Sequence, residues 1–122
     1  MKRDMELIRQ IVIDIADSDE KLKISHWIDS NKDADRTKVG YHLWLLNDAD
    51  YLQANFLGTD NDPYSFVDIG NLTWEGQELA DSLRSPEIWI RVKNGLTALG
   101  GSAAISIVKE LATNAALSLL HL

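Results

Sequence analysis

The 122-residue sequence contains no cysteine, only two prolines, and no unbroken apolar run long enough to cross a bilayer. The missing cysteine excludes a disulfide framework, a thiolate zinc site and a cysteine nucleophile. It also suits a reducing compartment, so a cytoplasmic location is expected. The most apolar stretch, Ala103 to Leu122, is broken by Lys109, Glu110, Asn114 and several hydroxyl residues. A spanning helix needs roughly 20 mostly apolar residues, so no membrane span is expected. Asp4 and Glu6 interrupt the place where a signal peptide needs an apolar run, and secretion is not expected either. No internal repeat or low-complexity tract appears.

Positive charge is also scarce. Twelve basic residues face nineteen acidic ones, a net charge of −7, which repels a phosphate backbone at long range unless the cations gather on one face. They are scattered in small groups at Lys2-Arg3, Lys21/Lys23, Lys32-Arg36-Lys38 and Arg91/Lys93, where solubilising surface is their ordinary role.

Catalytic and metal-binding patterns are thin. His26, His42 and His121 stand at no recognised spacing, and Gly100-Gly101 lacks the further glycines and the lysine of a phosphate loop. Asp60-Asn61-Asp62 resembles the opening of a calcium loop. Tyr64 and Ser65, however, occupy the places of its third ligand and glycine turn, and no glutamate closes it. Asn71-Leu72-Thr73 matches a glycosylation sequon, but Thr73 is better read as a helix cap. No enzyme, cofactor or metal site is expected.

What is present is periodicity. From Asp4 to Asp17, Met5, Ile8, Ile11, Val12 and Ile15 recur at helical spacing opposite Glu6, Gln10 and Asp14. The acidic cluster Asp17 to Glu20 ends that helix, and Leu22 to Ile28 alternates with a period of two, as a short strand does. Asp33 is expected to cap a second long helix running to about Asp48. Val39, Leu43 and Leu46 form its core face, with His42 and Arg36 at the edges, while Thr37, Tyr41, Trp44 and Asp48 point outward.

Tyr51 to Phe56 and Tyr64 to Ile69, rich in aromatic and branched residues and separated by a turn-dense stretch, read as a hairpin. Thr73 then caps a helix carrying Leu79 and Leu83 and stopping near Arg84. Ser85-Pro86-Glu87 starts another, whose apolar stripe is Ile88, Trp89, Val92, Leu96 and Leu99. Gly100-Gly101 breaks it, and Ser102 is expected to cap a last helix reaching almost to Leu122. Apolar residues cover more than half of that last helix, so it is expected to pack on two sides. Ile107, Leu111, Ala115 and Leu119 are candidates for a homodimer interface.

The order helix, short strand, helix, β-hairpin wing, helix is that of a winged helix-turn-helix-like domain. The expected class is α+β, one domain over 1–122, with a winged-helix-like core at 1–84 and two C-terminal helices at 85–122. Leu72-Thr73-Trp74-Glu75-Gly76 looks like the Leu-Thr-x-x-Gly junction that follows the wing in many winged-helix regulators. Met1-Lys2-Arg3-Asp4-Met5-Glu6-Leu7-Ile8, Tyr41-His42-Leu43 with Leu45-Leu46, and Leu72 to Gly76 resemble a family of small bacterial and phage proteins known as a domain of unknown function. The Gly100-Gly101-Ser102 break and the helix after it are similar to that family too. The resemblance implies the fold and a bacterial or phage setting, and a charged residue where this chain has Trp44.

Two functional readings follow. As a DNA-binding transcriptional regulator, the chain would approach the major groove with Lys32, Arg36, Thr37, Lys38, Tyr41 and Trp44, and an adjacent groove or phosphates with residues around Gly58 to Tyr64. Against this, Asp33, Asp35 and Asp48 outnumber Arg36 and Lys38 in the recognition helix, and the wing tip carries Asp60 and Asp62 with no lysine or arginine. As an acidic protein-interaction module on the same scaffold, it would use outward Tyr41 and Trp44 together with the broad apolar C-terminal helix, since Tyr and Trp often anchor interfaces.

Overall fold

Asp4 starts the first helix. Its extended backbone leaves the carboxylate free to accept from the amides of Glu6 and Leu7, at 3.0 and 3.3 Å, two of the donors a helix start leaves unpaired. Helix α1 (Met5–Asp17) follows and buries Met5, Ile8, Ile11, Val12 and Ile15, the stripe its spacing predicts. A computed structural model describes residues 1–18, 35–61, 63–64, 66–101 and 103–120. The expected strand Leu22 to Ile28, the cap at Asp33, Lys32, His26, Asp62, Ser102 and His121 lie outside the described residues.

Helix α2 (Arg36–Asp48) begins later than expected. Asp35 is its cap, with its carboxylate accepting from the amides of Thr37 and Lys38 at 2.9 and 3.3 Å. Strands β1 (Leu52–Leu57) and β2 (Phe66–Leu72) pair antiparallel, with Leu52 opposite Leu72 and Phe56 opposite Val67. Between Leu52 and Ala54 the register slips by one residue, a bulge that places Gly70 and Asn71 against Gln53. Helix α1 packs on α2 and β2, and α2 packs on β1. The shared core gathers Ile11, Val12, Val39, Leu43, Leu46, Leu52 and Ile69, all nearly inaccessible to solvent. Burying each such side chain contributes about 1.5–3 kcal/mol.

Helix α3 (Trp74–Leu83) opens on Thr73, whose hydroxyl accepts from the Gly76 amide at 3.2 Å and donates to the Asp50 carbonyl. A Cβ at Gly76 would collide with the Tyr51 carbonyl, so glycine is what lets α3 start this close to the strand. Helix α4 (Pro86–Ala98), capped by Ser85, and helix α5 (Ile105–Leu120) complete the chain. Among the described residues there are therefore five helices and one two-stranded sheet, an α+β fold whose order is compatible with a winged helix. No helix of the described residues is long and apolar enough to cross a membrane.

The chain forms two compact units, Met1–Gln77 and Glu78–Leu122, with α3 running across the division. In the second unit α4 packs on α5, with Gly95 beside Leu111; α4 buries Trp89, Val92 and Leu96, and α5 buries Val108, Ala112 and Ala115. Leu99 departs from its expected place in the α4 stripe. Helix α4 ends at Ala98, and Leu99 sits in the terminal turn, 56% exposed.

Two helix ends share one closing geometry. At α4 the amide of Gly101 donates to the Leu96 carbonyl and that of Gly100 to Thr97, with Gly100 at φ +87. At α2 the amide of Tyr51 donates to Leu46 and that of Asp50 to Asn47, with Asp50 at φ +62. Both are Schellman caps, which favour glycine in the left-handed position. Aspartate holds that position in α2.

Candidate functional site

The candidate contact residues gather on α2 and the hairpin, and a polar stitch ties α2 to the start of α1. His42 is fully buried, whereas its place on the helical wheel suggests the edge of the core. The reason is that both ring nitrogens are satisfied inside. The backbone amide of Asp4 donates to Nε2 at 2.8 Å, so Nδ1 carries the proton and donates to the Lys38 carbonyl at 2.7 Å. The Asp4 carboxylate, while capping α1, also accepts from Lys38 Nζ at 2.8 Å.

Burial pushes the His42 imidazolium below its ordinary pKa, against the opposing pull of the Lys38 carbonyl and the Asp4 charge. Partial burial alone would raise Asp4. Its bonds from Lys38 and the Leu7 amide outweigh that and hold the carboxyl below the usual range.

On the stitch stands a strip of aromatic rings. Tyr41 stacks on Trp44 with centroids 6.3 Å apart and planes at 24°, and it meets Tyr64 edge-on at 6.4 Å. Tyr64 meets Phe56 edge-on at 6.3 Å. The strip thus runs from α2 to the hairpin, each pair adding about 0.5–1.5 kcal/mol beyond burial. Gly40 makes the joint possible: a Cβ there would lie within 2.9 Å of Tyr64 Cγ and closer still to its Cβ.

Trp44 remains 40% exposed at the outer end, while Tyr41, which the wheel turns outward with it, is half-buried among its neighbours. Asp48 lies one turn beyond Trp44 on the same face and is exposed.

The candidate contact residues divide accordingly. Arg36 and Thr37 are exposed in the first turn of α2, Lys38 is committed to Asp4, and Tyr41 and Trp44 form the strip. Of the α5 candidates, Ala115 is buried, Leu111 lies across Gly95 of α4, Leu119 is half-buried and Ile107 is 38% exposed. Phe56 and Asp4 escape a reading of the sequence for function, and Tyr64 enters it only as the end of the wing tip. Only Gly40, a small residue inside a helix beside an aromatic, signals that something approaches there.

Charge is divided unevenly. Met1–Gln77 holds eight basic and fifteen acidic residues, whereas Glu78–Leu122 holds four of each. After Lys38 the next lysine or arginine is Arg84, so the rest of α2 and the whole hairpin carry only acidic charge. Among the described residues no group of three or more His, Cys, Asp or Glu side chains is arranged to hold a metal.

Residues 2–102 match the model of the family described as "Hypothetical protein (DUF2513)". The chain belongs to the DUF2513 family. The matched residues include the stitch, the strip and α4, and end before α5 begins at Ile105. This DUF2513 chain is 28% identical over 112 residues to a protein of the bacterium Haemophilus influenzae named "Uncharacterized protein", covering 92% of each. No solved structure matches it.

Proposed function

We propose that this DUF2513 chain is a non-catalytic protein-interaction module on a winged-helix-like scaffold, with the aromatic strip of α2 and the hairpin as its contact surface. One observation carries the reading. Lys38, a cation of the would-be recognition helix, is spent on Asp4, and the would-be wing has no cation at all. Phosphate contacts supply most nonspecific DNA affinity and need such cations, whereas an exposed Trp backed by a stacked Tyr suits a protein interface. His42, with both nitrogens hydrogen-bonded internally, is ill placed to move protons for a substrate. The cysteine-free sequence suits the cytoplasm. Self-association through α5 has weaker support, because Ala115 and Leu111 are occupied within their own chain.

The DNA-binding regulator keeps the support of element order. Anisotropy with a mixed-sequence duplex at about 50 mM salt separates the two, since nonspecific binding is strongest at low salt. The expected result is no binding. Duplex binding that Trp44→Leu or Lys38→Ala abolishes would overturn the interaction role. In parallel, a photo-reactive phenylalanine analogue at Trp44 is expected to form a discrete protein adduct in cells, and an adduct with nucleic acid would count against it.

A further inference from the structure

We propose that the strip formed by Trp44, Tyr41 and Tyr64 docks an arginine-bearing segment of a partner protein, a reading that rests on the interaction role above. The first ground is charge. From Val39 to Gln77 the chain carries six acidic residues and no lysine or arginine, and His42, the single histidine there, is buried and held neutral. A stretch whose charges are all acidic favours a basic partner over an acidic one. The second ground is the chemistry of the exposed ring. Trp44 stacks on Tyr41 and keeps 40% of its surface in solvent, and Asp48 follows one turn along the same helical face.

An indole beside a carboxylate is complementary to a guanidinium, which can lie flat on the ring while its N–H edge reaches the acid. A lysine ammonium offers no planar face and holds its water more tightly. The site therefore favours arginine over lysine, beyond what charge alone provides. The strip is also held ready before any partner arrives. Gly40 leaves room for Tyr64, Tyr64 meets Tyr41 edge-on and Tyr41 stacks on Trp44, so the rings are already gathered and less ordering is left for binding.

The test uses the full chain and two fluorescein-labelled peptides of equal length and charge, one of arginine–glycine repeats and one of lysine–glycine repeats, in anisotropy titrations. The arginine peptide is expected to bind about fivefold or more tightly than the lysine peptide, the scale of a cation–π contact. Trp44→Leu keeps an apolar group but removes the ring, and it is expected to erase the preference in a chain that still unfolds cooperatively, with the midpoint lowered only by the loss of one ring pair. Asp48→Asn is expected to weaken both peptides and leave a preference for arginine.

Equal affinities, no binding of either peptide, or an arginine preference that survives Trp44→Leu would overturn the proposal. The same titration with duplex DNA keeps the two readings apart. If DNA does not bind and arginine is not preferred, the arginine segment alone fails, whereas DNA binding lost in Trp44→Leu overturns the interaction role as well.

Discussion

Replacing His42 by Gln tests the stitch between α1 and α2 and gives it a pH signature. In the folded chain the imidazole is neutral, donating through Nδ1 to Lys38 and accepting at Nε2 from Asp4. A proton on Nε2 would set one donor against another in a fully buried site. The folded pKa of His42 is therefore lowered from 6.5, and the unfolded chain binds this proton more readily. Stability from this group is fully present above about pH 6.5 and is lost as the pH falls from there toward the lowered folded value. The limiting slope is about 1.4 kcal/mol per pH unit, one proton's worth.

Urea midpoints between about pH 5 and 8, where an ordinary histidine changes charge, measure this directly when the wild-type and His42→Gln curves are subtracted. The subtraction cancels the other two histidines. At the upper end Gln is expected to cost about 2 kcal/mol, two hydrogen bonds at about 1 kcal/mol each. That cost is expected to shrink as the pH falls, because only the wild type loses stability there. Parallel curves would refute the neutral, doubly bonded histidine.

Other expectations follow from single residues. Asp50→Gly relieves a left-handed aspartate and is expected to stabilise by about 0.5–1 kcal/mol in thermal or urea unfolding, after the entropy cost of glycine. Gly40→Ala places a methyl against Tyr64 and is expected to destabilise by about 1–3 kcal/mol, with weakened near-ultraviolet circular dichroism as the strip parts. Trp44→Lys is expected to leave the chain folded at a cost of about 0.5–1.5 kcal/mol, the stacked pair it removes, and a loss of several would show that the indole is core.

Much of the fold is legible where a local rule and a tertiary need coincide. Helix α1 has a period that the core requires, and Thr73 and Ser85 sit where only a cap makes sense. Legibility ends where two local solutions compete or where distant residues decide. Asp33 and Asp35 are equally good caps by type, and the carboxylate that reaches the amides of Thr37 and Lys38 settles the start of α2. His42 reads as an edge residue because its partner, the Asp4 amide, lies 38 residues away. The wheel places Tyr41 and Trp44 on one face, but Tyr41 is half-buried because the rings that meet the pair, Tyr64 and Phe56, belong to the hairpin and reach it only in the folded chain.

The absence of cations between Lys38 and Arg84 also governs how copies of this chain treat one another. Two strips brought face to face would bring acid to acid, so in dilute salt the exposed indole is guarded by mutual repulsion. That guard has a range of about 10 Å at 0.1 M salt and only about 3 Å at 1 M. It also fades as the pH approaches the isoelectric point of about 4.8. Colloidal stability is thus tied to the net acidic charge: concentrated salt or mild acid should promote self-association, and dilution into weak buffer near neutrality should reverse it.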